Sequence, residues 1–198
     1  MNICVYGASS NAIDKSYIEA IEALGECIAR HGHGLVFGGG NGGAMGAAAR
    51  GADRVEGAHI IGVAPTFFPV DGVLYPHCTE FHYTETMRER KKLLEDMSDA
   101  FIIAPGGVGT FDELFEILTL KQLGRHNKPM VLFNVNGYYD PLIAMLEHAA
   151  EGKFLNETTI ELVRVFDTLD GMMEYIEGYD EPMHLPSFFK KIEEAKEN

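Results

Sequence analysis

The sequence has few cysteines and no obvious metal-binding motif, and these shortages exclude several classes of protein. Cys4, Cys27 and Cys78 are odd in number and far apart, so the spacing indicates neither a disulfide framework nor a zinc site. The eight histidines include no H-E-x-x-H pair. We therefore expect three reduced thiols and a protein that needs neither a metal ion nor another cofactor.

Basic residues are also scarce, since 16 Lys and Arg face 30 Asp and Glu and leave a formal net charge of −14. So acidic a surface repels phosphate backbones and anionic membranes unless its basic residues cluster. The densest cluster, residues 88–92, is interrupted by Glu89. No apolar run approaches the roughly 18 residues that span a bilayer, and no basic leader precedes the first apolar segment. We expect a cytoplasmic protein without nucleic acid or membrane partners.

What the sequence does contain is an alternation of short apolar runs with longer helical patterns, which is typical of βαβ units. This alternation predicts an α/β fold, a Rossmann-like doubly wound parallel sheet with helices on both faces. We expect one nucleotide-binding catalytic domain over residues 1–180 and a surface tail over residues 181–198. The predicted strands are 3–6, 34–37, 59–64, 100–104 and 129–134, with a weaker one at 162–166, and the predicted helices are 15–31, 43–50, 85–97, 110–123 and 140–150. Residues 66–82 are predicted to be a long irregular connection.

Three predicted strand-to-helix junctions consist almost entirely of small residues, at 7–10, 38–43 and 106–110. All such junctions lie at the carboxyl edge of a parallel sheet, where ligands bind. Exposed N–H groups and the positive end of a helix dipole favour an anion there, most commonly phosphate. The alternative is that the glycines only make tight turns and close helix packing.

Two familiar nucleotide motifs do not fit these glycines. Gly38, Gly40 and Gly43 match G-x-G-x-x-G, but the match follows the second strand and no acidic residue ends the third. No Lys-Ser or Lys-Thr follows any of the loops, which excludes a P-loop. The sequence therefore disfavours both an NAD site and a P-loop NTPase.

Three longer motifs resemble the LOG family, the cytokinin riboside 5′-monophosphate phosphoribohydrolases. They are GGGNGGAMG at 38–46, ETMRERK at 85–91 and PGGVGTFDE at 105–113, and the resemblance covers roughly residues 1–180. It implies hydrolysis of the N-glycosidic bond of AMP or an N6-substituted AMP. Members have often been labelled lysine decarboxylases, but no lysine here has a setting that suggests a pyridoxal phosphate Schiff base.

The resemblance also implies roles for individual residues. Arg90 and Glu113 would be the catalytic residues, with Glu113 stabilising an oxocarbenium-like transition state or activating water. A nucleoside monophosphate would be the small-molecule partner. The residues expected to bind it are Ser9, Gly39, Gly40, Met87, Lys91, Gly106, Gly107, Gly109 and Thr110.

Each assignment has a simpler alternative in the local sequence. Thr110-x-x-Glu113 also matches a capping box, in which the Glu113 carboxylate would only cap a helix. Arg90 lies in a charged run that could be solvated, although its spacing from Met87 and Leu94 places it along an apolar stripe. Ser9 and its neighbour Ser10 could be turn or cap residues. These alternatives stay open at this point.

Two further hypotheses concern assembly and activity. Apolar residues on the predicted helix 111–123 spread past the ~100° stripe of a one-sided helix, which favours a homodimer, as the LOG resemblance also implies. The rival to an enzyme is a protein that carries a nucleotide or phosphorylated cofactor without turnover, similar to molybdenum-cofactor carriers.

Overall fold

The structure is a computed structural model that describes residues 1–68 and 72–183. Within these residues seven strands form one sheet, and helices connect most of them. The strands are β1 (Asn2–Tyr6), β2 (Gly34–Phe37), β3 (Ile60–Pro65), β4 (Glu80–Thr84), β5 (Ala100–Ile103), β6 (Met130–Phe133) and β7 (Arg164–Phe166). The helices are α1 (Lys15–Arg30), α2 (Gly43–Asp53), α3 (Met87–Asp96), α4 (Val108–Gln122), α5 (Asp140–Glu151), α6 (Glu157–Ile160) and α7 (Leu169–Glu177).

The order of the strands determines where a ligand can bind. It is β4-β3-β2-β1-β5-β6-β7, and each pair of neighbours is parallel. The chain adds strands outward from β1 on one side, then returns to place β5 on the other side of β1. The connections after β1 and β5 therefore diverge and leave a crevice at the carboxyl edge of the sheet.

Helices cover both faces of the sheet, as expected for alternating side-chain directions along each buried strand. In β1, Ile3 and Val5 pack with α1, α2 and α7, whereas Cys4 and Tyr6 pack with α3, α4 and α5. The predicted Rossmann-like, doubly wound α/β fold is confirmed. Cys4, Cys27 and Cys78 are free thiols, and none of the helices in the described ranges has the length and apolar character needed to cross a bilayer.

The connection at 66–82 is where the sequence prediction of the fold is wrong. Its last three residues begin β4, an edge strand with the sequence EFHYT in which every side chain is at least partly exposed. An edge strand of this kind has no continuous apolar run, which is the signal used for the other strands. Helix α4 also begins at Val108 rather than at residue 110. Of the predicted tail at 181–198, residues 184–198 lie outside the described part.

Candidate active site

A cleft of about 370 Å³ opens at the carboxyl edge of the sheet, between the connections that follow β1 and β5. This is the switch point of the strand order, where an open α/β sheet places its ligands. The β1 connection, the start of α4, one residue of α2, two residues of α3 and Phe68 form its walls. The lining residues are Gly7, Ala8, Ser9, Ser10, Met45, Phe68, Met87, Arg90, Gly107, Val108, Gly109, Thr110, Asp112 and Glu113.

The Arg90 side chain reaches the floor of the cleft and is only 6% exposed. Its Nε donates to the Val63 carbonyl at 3.1 Å, and its Nη1 donates to Glu113 Oε1 at 2.8 Å. The planar guanidinium makes both bonds at once because its donors diverge in a fixed fork. The inward-facing interpretation of Arg90 is thus confirmed, and the solvated alternative is wrong.

Gly38 provides the room for this guanidinium. A Cβ atom at position 38 would lie 2.0 Å from Arg90 Nη2, well inside van der Waals contact. Any side chain there would therefore push Arg90 out of its place. The first glycine of the GGGNGGAMG motif accordingly accommodates an arginine from a distant helix.

Glu113 stands on the first turns of α4, with a side chain only 11% exposed. Burial raises the pKa of its carboxyl group, and the neighbouring Arg90 guanidinium partly opposes the increase. The capping-box interpretation is wrong, because α4 begins at Val108 after the cap residue Gly107, which places Thr110 inside the helix. The Glu113 carboxylate is bound to Arg90 instead.

The connection after β5 presents backbone rather than side chains to the cleft. Gly107 is the N-cap of α4, and no side chain caps this helix. The space beside Gly107 and Gly109 is open, so a ligand can approach the first N–H groups of the helix. Gly106 lies behind them, where a Cβ would come within 2.1 Å of Thr110 Oγ1. The arrangement is suited to an anionic group at a helix N-terminus.

The other walls of the cleft differ in character. Ser9 lines the cleft, whereas the hydroxyl of Ser10 also accepts the Ala12 N–H at 3.2 Å, as a turn residue would. Met45 and Met87 add flexible apolar side chains. The cleft therefore combines a polar end at α4 with an apolar wall suited to a flat ring.

Four predicted binding residues do not line the cleft, namely Gly106, described above, and Gly39, Gly40 and Lys91. Gly39 and Gly40 lie in the connection after β2, where the Gly39 carbonyl accepts the Tyr75 N–H at 2.8 Å. Lys91 Nζ binds two carboxylates, Asp112 at 3.0 Å and Glu116 at 2.7 Å. Lys91 thus supports the cleft wall from outside through Asp112.

Sequence reasoning missed several lining residues. Val108 and Asp112 lie inside the PGGVGTFDE motif and could have been included from their position alone. Met45 lies in the GGGNGGAMG motif, in the first turn of α2. Phe68 gave no signal, because it comes from a connection without regular structure. Within the described residues no group of three or more His, Cys, Asp or Glu side chains is arranged to hold a metal ion.

Comparisons with known proteins agree on the family. A family model described as "Possible lysine decarboxylase" matches residues 45–176. The cytokinin riboside 5′-monophosphate phosphoribohydrolase of Rhodococcoides fascians is 41% identical over 161 residues, which cover 81% of this chain and 81% of that protein. The protein named LOG with the same activity in Oryza sativa subsp. japonica is 36% identical over 177 residues, covering 89% and 73%.

Solved structures with a similar fold include proteins named for another ligand. The molybdenum cofactor binding protein of Rippkaea orientalis has a TM-score of 0.67 at 22% identity, covering 89% of this chain and 93% of that one. The molybdenum cofactor carrier protein of Chlamydomonas reinhardtii has a TM-score of 0.67 at 23% identity, covering 89% and 95%. At these identities the likeness shows a shared fold alone.

Proposed function

This chain belongs to the LOG family of cytokinin riboside 5′-monophosphate phosphoribohydrolases, and we propose that it is an N-glycosyl hydrolase of nucleoside 5′-monophosphates. Its substrate is AMP or an N6-substituted, cytokinin-type AMP, and its products are the free base and ribose 5-phosphate. The observation that carries the proposal is the buried Arg90–Glu113 pair, with its 2.8 Å bond, beside an uncapped helix N-terminus in one cleft.

In the proposed binding mode the 5′-phosphate lies at the start of α4. The N–H groups of Gly107 and Gly109, together with the Thr110 hydroxyl, would donate to its oxygens, and the helix dipole would favour its charge. The base would lie against the apolar wall that includes Met45 and Met87. This orientation directs the ribose toward Glu113 and Arg90.

The proposed reaction breaks the bond between the anomeric carbon and the base nitrogen. The sugar passes through a state with oxocarbenium character, whose positive charge the Glu113 carboxylate stabilises. Water adds its oxygen to the anomeric carbon and its proton ends on the departing base. A pKa raised by burial makes Glu113 a better base toward that water, while Arg90 keeps its carboxylate in place.

The matching family model is described as a possible lysine decarboxylase, an activity that makes a demand on the lysines of this chain. An amino-acid decarboxylase of the usual kind needs a lysine amine to hold pyridoxal phosphate. No lysine lines the cleft in the described ranges, and the nearby Lys91 is held by Asp112 and Glu116 outside it. The residues present do not fit that cofactor.

Release of the base from AMP tests the proposed function. Purified protein incubated with AMP, or with an N6-isopentenyl AMP, should yield adenine or the substituted base on chromatography. Protein carrying Glu113→Gln, prepared in parallel, controls for contaminating hydrolases. If neither nucleotide yields its base while AMP still binds, the protein is a carrier rather than an enzyme.

A homodimer is the assembly that the surface of α4 supports. Val108 is 84% exposed and Leu123 is 44% exposed, at the two ends of a helix whose Phe111 and Phe115 are only partly buried. A second copy of this chain would cover that apolar side. Light scattering at micromolar concentration should report twice 21.8 kDa, and a stable 21.8 kDa species would exclude the dimer.

The proposed location of the enzyme is the cytoplasm. The three free cysteines support this, because reducing compartments keep thiols in that state.

A further inference from the structure

Two consecutive tyrosines donate hydrogen bonds to the connection between β5 and α4 from outside the cleft. The Tyr138 hydroxyl donates to the Gly106 carbonyl at 2.5 Å, and the Tyr139 hydroxyl donates to the Ala104 carbonyl at 2.8 Å. Both tyrosines lie between β6 and α5, and neither lines the cleft. They therefore act on the cleft only through the backbone that they hold.

Together with one backbone bond, these hydroxyls fix three consecutive carbonyls. The Pro105 carbonyl, between the two that the tyrosines hold, accepts the Ala8 N–H at 3.1 Å. In a planar trans peptide the N–H points opposite to the carbonyl of the same unit. Fixing the Gly106 carbonyl against Tyr138 thus fixes the direction of the Gly107 N–H, and Gly107 lines the cleft.

The tyrosines are themselves held rigidly. The Tyr139 N–H donates to Asn134 Oδ1 at 2.7 Å, and the Tyr139 side chain is fully buried. The Tyr138 ring meets Tyr17 edge to face, with ring centroids 5.9 Å apart, and meets Tyr139 in the same way at 5.1 Å. Both rings are therefore fixed in place, and each hydroxyl stays against its carbonyl partner.

We propose that Tyr138 is a positioning residue that aims the Gly107 N–H at the substrate's 5′-phosphate, and that Tyr139 anchors the connection that carries this N–H. This inference rests on the proposed function for the identity of the phosphate ester. The positioning role itself requires only an anion at that helix N-terminus. Burial raises the pKa of Tyr139, which keeps its hydroxyl protonated and donating.

The test compares ligands with and without a phosphate on Tyr138→Phe and Tyr139→Phe, each of which keeps its ring and loses one hydrogen bond. Ribose 5-phosphate should bind Tyr138→Phe about tenfold more weakly by titration calorimetry. The loss should be smaller for Tyr139→Phe, because the peptide unit that begins at Ala104 ends at Pro105, which has no N–H. The affinity for adenosine, which has no phosphate, should stay within about twofold of the wild type. In turnover of AMP the loss should appear mainly in KM.

The matched control is Tyr179→Phe, whose hydroxyl bonds Asn127 Oδ1 at 3.4 Å outside the cleft. It should leave both affinities unchanged. If Tyr139→Phe does not fold, the partly exposed Tyr138 still decides the question. Unchanged ribose 5-phosphate affinity in folded Tyr138→Phe would overturn the proposal, and so would equal weakening of ribose 5-phosphate and adenosine.

Inorganic phosphate separates this inference from the proposed function. If the wild type releases no adenine but binds phosphate more tightly than Tyr138→Phe does, the proposed hydrolase function is overturned while the positioning role is supported. If the wild type binds neither phosphate nor ribose 5-phosphate, the positioning role is overturned.

Discussion

Helix α4 carries a buried charge near each of its ends, and the two charges are held in different ways. Near the first end, Glu113 pairs with Arg90 at 2.8 Å on the floor of the cleft. Near the second, the Lys121 side chain is only 1% exposed, and its Nζ has no hydrogen-bond partner among the described residues. The Nζ lies 4.9 Å from the centroid of the Tyr179 ring, and burial lowers the pKa of the lysine to about 8.

The different surroundings of Glu113 and Lys121 indicate which end of α4 is suited to catalysis. A buried charge is costly wherever it lies, so each end needs something that offsets the cost. The Arg90–Glu113 pair has complementary charges and opens onto space for a ligand, whereas Lys121 rests on an aromatic face and does not line that cleft. We expect changes at the first end to affect catalysis and changes at the second to affect stability alone.

The largest expected effect comes from Glu113→Gln. The amide cannot act as a base or stabilise a cation, so kcat for AMP should fall by about 10² to 10⁴. Because Arg90 loses its counter-charge, the free energy of unfolding should also fall, by about 1 to 3 kcal/mol. Adenine release, AMP affinity and the thermal midpoint measure the three consequences.

The matched control for this variant is Glu116→Gln, less than one turn further along α4, whose side chain is 43% exposed and outside the cleft. It should turn over AMP normally. Normal turnover by folded Glu113→Gln would show that the carboxylate takes no part in the mechanism. The expected contrast between a catalytic end and a structural end of α4 would then be wrong.

The next largest effect is expected when the substrate, rather than the protein, is changed by removing its 5′-phosphate. If the start of α4 binds the 5′-phosphate, several charge-assisted N–H bonds each contribute about 1.5 to 3 kcal/mol. Together they should make kcat/KM for AMP at least about 10² larger than for adenosine. Comparable values for the two substrates, measured with the same preparation, would mean that this helix end does not bind phosphate.

Arg90→Lys should have the next largest effect. An ammonium cannot bond the Val63 carbonyl and the Glu113 carboxylate in the two directions that the guanidinium covers. We expect kcat/KM to fall by about 10- to 100-fold. The control is Arg30→Lys, because the exposed Arg30 side chain pairs with Glu26 on α1, away from the cleft. Activity of Arg90→Lys within about threefold of the wild type, or about 0.7 kcal/mol, would contradict a positioning or catalytic role.

A change at the Lys121 end of α4 is expected to have no effect on activity. Lys121→Met removes a buried charge without a hydrogen-bond partner, so at pH 7 the variant should be more stable by about 1 kcal/mol. A lowered pKa in the folded state means that the unfolded wild type binds more protons between about pH 8 and the ordinary value of 10.5. The stability of the wild type should therefore rise across that window and approach that of Lys121→Met.

Thermal midpoints of the two proteins between pH 7 and pH 10.5 test this prediction, with AMP turnover measured alongside. A constant difference across the window would show that Lys121 has an ordinary pKa, and a loss of turnover would show that the far end of α4 also matters for catalysis.

The sequence predicted the buried parts of the fold better than its edges. Strands with continuous apolar runs, such as β1 and β5, are predicted correctly, whereas β4 is missed because this partly exposed edge strand has no continuous apolar run. The spacing of Arg90 from Met87 and Leu94 indicates an inward direction but leaves the solvated alternative open, and the structure decides between them. The role of Gly38 was not predicted, since it depends on a side chain that is far along the chain and adjacent only after folding.

Helix α4 illustrates the same limit. Residues 105–113 gave the site through a motif, but the start of the helix was placed two residues late because Thr110 and Glu113 match a capping box locally. Lys121 was not anticipated at all, because a lysine near the end of a helix ordinarily extends into solvent. Both errors arise where tertiary contacts outweigh local pattern.

The 2.0 Å approach of a Cβ at position 38 to Arg90 Nη2 also restricts how this sequence can evolve. An alanine at 38 requires the Arg90 guanidinium to move, and a displaced guanidinium loses its present bond to Glu113. If that pair is catalytic, as proposed, a single substitution at 38 should lower activity until a second change accommodates it. Selection for catalysis would then act on a glycine that does not itself line the cleft.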